Sequence, residues 1–318
     1  MGEVLGSAPR RSGVLPHGVA TELACFTAAA SIRTSLRRTV TGAGDARADL
    51  LEAYRQWARV RSAGRTSADP TAWLDEVELF VHTAEEARDT VRGLAGGAGT
   101  RTDPVTTADG WHAVVRALPL AVQLDRDPAA ALAAAVDSAA LTHGPRTFAP
   151  AALAVLLAGA SLRCGDPVQA VAVAVTDAIL SGVDFAAVAV VDDAVRAARE
   201  TPASPLVLRA GAADGTAAAV LWGATYCALS HPTRPGTAAA LALAATAPAP
   251  HGVSALTGAL VGAAHGETAL PQQVLTRVDL AYVVDRLARD LDRENRLNPD
   301  GSWGAAADPL WRARYGIG

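Results

Sequence analysis

Nearly all the apolar residues of this chain are small or aliphatic, and they recur at helical spacing; no other feature of the sequence limits the fold as much. Half of the 318 residues are hydrophobic but only 4% are aromatic, so Ala, Val and Leu must supply most of any core. Ala has the best helix propensity, and small side chains let helices approach closely. A sandwich or barrel would require more β-branched and aromatic residues. No run of alternating residues reads as a strand, and no fixed-period repeat supports a solenoid. The expectation is an all-α, many-helix bundle, with enough chain for one large or two modest domains.

Along the chain, residues 1–17 carry Gly, Pro and paired Arg and read as a loop. Helices are predicted over 19–39, 46–63 and 72–94, followed by a Gly-rich linker at 93–99. Further helices are predicted near 111–124, 128–142, 150–163, 167–181, 185–199, 214–229, 236–246, 254–265 and 271–292. Several open at a proline suited to a first helical turn, such as Pro128 and Pro167. The body is expected to span 18–292, and the Pro/Gly-rich tail 293–318 to pack over it as an irregular extension.

Every basic residue is Arg, which reads as the imprint of a GC-rich genome. A net charge of −4 gives no general electrostatic reason to bind nucleic acid or an anionic membrane. Arg33, Arg37 and Arg38 read as a solvated helix face. Cys25, Cys164 and Cys227 lie far apart in apolar helical contexts, so buried thiols in a reducing compartment are expected. The N-terminus has no apolar signal region, and the longest apolar tracts are interrupted by charge; the chain is expected to be cytoplasmic and not to span a membrane.

Three segments carry a resemblance, in order. GVATELACFTAAASI at 18–32 is similar to a family stretch in which Thr-Asp-Asp precedes a Phe-Thr-Ala helix. GWHAVVRALPLA at 110–121 leads into AALTHGPRTFAPAALAVLLAGASL at 139–162, similar to Gly-Cys-Gly-x-Val-Met-Arg-x-x-Pro followed by Leu-Thr-His-Gly. APAPHGVSALTGALVGAAHGETALPQQ at 247–273 is similar to Gly-Gly-Asp-Thr-Asp-Thr running into Gly-Ala-Leu-x-Gly-Ala-x-x-Gly and then Ile-Pro. Together they resemble the ADP-ribosylglycohydrolase family, which includes dinitrogenase reductase-activating glycohydrolases and ADP-ribosylarginine hydrolases. The ordered co-occurrence is more specific than any one Ala-rich helix. The family's usual first helix, with its Gly-Asp-Ala motif, has no counterpart before Gly18, which leaves open a contribution from another chain and hence self-association.

The resemblance implies an orthogonal helical bundle and a pair of magnesium ions that activate water beside an N-glycosidic bond. Mg²⁺ requires oxygen ligands, chiefly carboxylates, in near-octahedral geometry, and two ions close together need several anionic ligands. The family's ligand positions here hold Val19, Ala20, Ala249, His251 and Gly252, with Thr21 kept and Glu22 following it. Magnesium is therefore not expected. A single transition-metal ion, or acid–base chemistry, would need His17, His112 and His251 to converge with Glu22 or Asp109; scattered polar residues at loop ends are the simpler reading. Thr21, Trp111, Arg116 and Gly252 are the candidate ligand-binding residues. Trp111 either stacks on a flat ligand or fills vacated space, Arg116 either meets a phosphate or ties carbonyls together, and His143 reads as structural. The favoured function is a catalytically inactive binding or regulatory module, taking an ADP-ribose-like nucleotide or a partner protein. The alternatives are an enzyme of altered chemistry acting on a small molecule in a bacterial specialised pathway, and a residual ADP-ribosyl hydrolase.

Overall fold

The computed structural model describes residues 15–63, 72–81, 87–297 and 308–317. Among them no strand occurs; there are two isolated bridges, Leu15 with Val278 and Gly110 with Thr216. The all-α expectation holds. The expected loop at 1–17 falls outside the described residues as far as residue 14.

Helices α1 (Val19–Thr41) and α2 (Ala46–Ala63) form a hairpin that turns at Gly42, whose φ of 73° closes the end of α1 in the left-handed conformation. The single helix expected over 72–94 is broken. Two 3₁₀ turns, Trp73–Glu76 and Glu78–Val81, precede α3 (Arg88–Ala95). Tertiary anchors override the local periodicity here. Asp75 accepts from Gln56 at 2.6 Å, while Leu74 and Phe80 are buried and Phe80 packs 5.3 Å from Phe26. The helix expected over 111–124 is likewise cut, into α4 (His112–Val115) and a 3₁₀ turn at Leu118–Gln123. Pro119 has no N–H to continue the ladder.

Then follow α5 (Pro128–Ala140), α6 (Phe148–Cys164), α7 (Pro167–Leu180), α8 (Phe185–Glu200), α9 (Pro205–Gly211), α10 (Ala217–Ser230), α11 (Thr237–Ala244) and α12 (Pro250–His265). Helix α9 was not anticipated. The helix expected over 271–292 is split into α13 (Gln272–Leu275) and α14 (Ala281–Leu297). The break admits Leu15, whose N–H and C=O pair with Arg277 and Asp279.

Helix α6 is the hub. It is buried along most of its length and packs against α4, α5, α7, α10 and α12. Pro145–Cys164 is the one helical stretch among the described residues long and apolar enough to cross a membrane, and 72% of its apolar window is buried inside the protein. The tail is not irregular throughout: α15 (Pro309–Arg314) brings Trp311, Tyr315 and Ile317 into the core. Asp308 caps this helix through Leu310 N–H at 2.9 Å, and Pro309 occupies its first turn. Trp303 lies outside the described residues. Cys25 and Cys227 are buried and Cys164 is half-buried.

Candidate functional site

The two segments that carry metal ligands in the family open α1 and α12. Val19 and Ala20 are fully buried in the first turn of α1, and Gly252 is buried in the first turn of α12, after Ala249 at its cap. None of these side chains has a donor atom. Thr21 is half-buried and lines the same groove as Ala255 of α12. His251 is half-buried, and its Nδ1 has no hydrogen-bond partner among the described residues. One hydroxyl and one imidazole do not fit two magnesium ions, which need several carboxylates.

Trp111 occupies the space beside α12. Its backbone N–H donates to Gly215 O at 3.2 Å, which fixes the 110–111 segment against the residues leading into α10. The indole lies against α12, so that a Cβ placed on Gly252 would come within 2.7 Å of it. A side chain at 252 is therefore excluded by the indole, and the glycine permits the close approach. Gly215 and Ala249 border the same position, and the His112 ring stacks on the indole at 4.0 Å with 20° between planes. Only 8% of Trp111 is exposed, which leaves no open face for a flat ligand.

Arg116 belongs to the interior rather than to a phosphate. It is fully buried, donates to Ser138 O and to Thr142 Oγ1 at 2.7 Å, and its guanidinium stacks 4.5 Å over the Tyr54 ring. Tyr54 Oη bonds Ser138 Oγ at 2.7 Å and Thr27 Oγ1 at 2.8 Å, so the network reaches α1. At its other end, Thr142 Oγ1 lies 2.8 Å from His143 Nδ1. Thr142 Oγ1 accepts from Arg116 and keeps a second lone pair, so either atom can donate in its bond to His143 Nδ1, and His143 Nε2 is buried with no hydrogen-bond partner among the described residues. Burial, then the charges of Arg116 and His112, hold His143 well below the usual imidazole range. It is neutral.

His17 and Glu22 form a separate cluster. The Glu22 carboxylate is completely buried and accepts from Trp57 Nε1 at 2.6 Å, Arg61 at 2.9 Å and His17 Nε2 at 2.9 Å. His17 Nδ1 lies 2.9 Å from Asp279, so both ring nitrogens face carboxylates. Only the doubly protonated ring donates to both. Burial, the largest single influence, pulls its pKa down, but the bond to Glu22 and the charges of Asp279 and Glu22 outweigh it and raise the value. The two carboxylates lie on opposite sides of the ring and share no point where a metal would sit. Asp109 is half-buried, with Arg146 at 3.7 Å and its carbonyl accepting from Ala217.

The candidates thus divide into a His17–Glu22 latch, a Trp111–His112 stack on α12, and single positions at Asp109 and His251. Among the described residues no group of three His, Cys, Asp or Glu is placed to hold a metal ion. Tyr54, Trp57, Arg61 and Asp279 were not singled out from sequence. Asp279 stands 262 residues from His17, and nothing local marks the pairing.

The family model for ADP-ribosylglycohydrolase matches residues 17–301. A solved structure described as an ADP-ribosylglycohydrolase-related protein complex superposes with a TM-score of 0.58 over 92% of this chain and 93% of that one, at 18% identity. No curated protein matches the chain. With three motifs in order, a family match over most of the sequence and a shared all-α fold, the chain belongs to the ADP-ribosylglycohydrolase family.

Proposed function

We propose that this protein is a catalytically inactive member of its family that uses the helical scaffold to bind a partner protein, and not as a magnesium-dependent hydrolase. The observation that carries the reading is the indole of Trp111 seated on Gly252 beside Ala249, together with Val19 and Ala20 at the start of α1 where carboxylates would be needed. Of the positions that would ligate the ions, Val19, Ala20, Ala249 and Gly252 offer no donor atom, only Thr21 and His251 do, and the space beside Gly252 is occupied by a ring. Of the two ligand classes expected from sequence, an ADP-ribose-like nucleotide is the less favoured. Its adenine has no open aromatic face at Trp111, and Arg116 has its guanidinium bound inside the protein.

An enzyme of altered chemistry would need the three histidines in one place. His17 is engaged with Glu22 and Asp279, while His112 stacks on Trp111, so the main support for that alternative is weak. Isothermal calorimetry of the purified protein with ADP-ribose, with and without Mg²⁺ or Zn²⁺, tests the reading. No saturable heat is expected under any condition; magnesium-dependent binding would overturn it.

A further inference from the structure

A groove of about 340 Å³ lies between α1, α6, α12 and α14, floored by residues 115–122. Its depth has a simple origin in sequence. Ala24 and Ala28 on α1, and Ala255, Ala259 and Ala263 on α12, recur at one-turn spacing and all face it. A longer side chain at any of these would project into the space. The lips are large and apolar: Leu162 is 52% exposed and Val284 41% exposed. The lining contains no ionisable side chain apart from the Cys25 thiol, and its one hydroxyl belongs to Thr21.

We propose that this groove binds a small, uncharged apolar molecule, of the class of medium-chain alcohols or hydrocarbon skeletons of similar size. The volume falls within the range of small-molecule sites, which are mostly apolar with few polar groups. A charged or nucleotide ligand would bring polar groups that nothing in the lining can pair, at a high desolvation cost. A second copy of the chain fits less well. A stable subunit interface buries on the order of 1,000 Å² or more, which reaches well beyond the groove. The neighbouring face of α14 carries the ion pairs Asp285–Arg289 and Arg286–Asp290, which a subunit would have to desolvate. The inference does not depend on whether the Trp111 region is catalytically dead, because Trp111 does not line the groove.

The test uses the neutral fluorophore N-phenyl-1-naphthylamine, displaced by a series of linear alcohols from butanol to decanol. Saturable binding of the dye is expected, with displacement strengthening about fourfold for each added methylene until the groove is full. Ala24→Leu and Ala259→Leu should each weaken dye binding tenfold or more, with circular dichroism and melting midpoint checked for each. Leu162→Ser, at an exposed lip where folding tolerates a polar residue, supplies a milder loss if either Leu variant misfolds. Absent saturation, displacement by decanoate equal to that by decanol, or dye binding unchanged in all three variants would overturn the proposal. So would a dimer in sedimentation that the same substitutions dissociate, because the occupant would then be a second copy.

Discussion

Arg116 and His17 carry most of what the individual side chains reveal. In sequence, Arg116 fits a phosphate contact and a structural tie equally well, because a guanidinium serves both. Its full burial and its bonds to Ser138, Thr142 and Thr90 decide for the tie. Arg116→Met should therefore lower unfolding free energy by about 3 kcal/mol, since acceptors that lose a buried charged donor cost roughly that much; urea denaturation reads this directly. His17 makes a pH-dependent contribution. Its folded pKa lies above the ordinary 6.5, so its stabilisation is present in full below about pH 6.5. As pH rises through the elevated folded value, the second ring proton and one carboxylate bond are lost. The melting midpoint of the protein should fall across that window, and the fall should be absent from His17→Gln; parallel pH profiles for the two proteins would contradict it. The candidates His17, Glu22 and Trp111 were visible in sequence as residue types near motifs. Their pairings were not, because the fold alone brings Asp279 to His17 and Gly252 against Trp111.

At the scale of elements, the long amphipathic and Ala-rich helices were legible, and the misses share a cause. Where tertiary contacts or a proline interrupt a periodic stretch, as at Asp75, Pro119 and Asp279, one expected helix becomes two or three short pieces. The opposite error occurs at α9 and α15, short helices with no amphipathic run to announce them. Their starts nevertheless carry a readable signal. Ser204–Pro205 and Asp308–Pro309 repeat the arrangement of Asp127–Pro128 and Asp166–Pro167, in which a capping side chain accepts from the first turn and proline follows it. Helix α15 docks through Trp311, which donates to Glu294 at 3.2 Å, and through Tyr315, which donates to Asp290 at 2.7 Å. Arg33 returns a bond to Tyr315 O at 3.0 Å. Tyr315→Phe should cost about 1–2 kcal/mol by removing one bond to a buried carboxylate. Trp311→Ala should cost about 3 kcal/mol or more through the cavity it leaves. Thermal denaturation of the two variants tests the ranking; a tail that merely rests on the surface would show neither loss.

For the whole molecule, scaffold and chemistry are separate under the proposed function. The packing segments that carried the resemblance, LTHG and GALVGA, fold into the junctions around α6 and α12, and the fold follows from them. The positions that would hold magnesium carry Val19, Ala20, Ala249, His251 and Gly252 with Thr21 kept, and the indole of Trp111 lies against Gly252. The motifs left Trp111 either to stack on a ligand or to fill space; its place against Gly252 depends on the 110–111 segment being held by Gly215. The most direct measurement is release of ADP-ribose from an arginine-ADP-ribosylated protein in saturating magnesium, followed by liquid chromatography. The account predicts release equal to that of a protein-free control, and magnesium-dependent turnover above that control would contradict it.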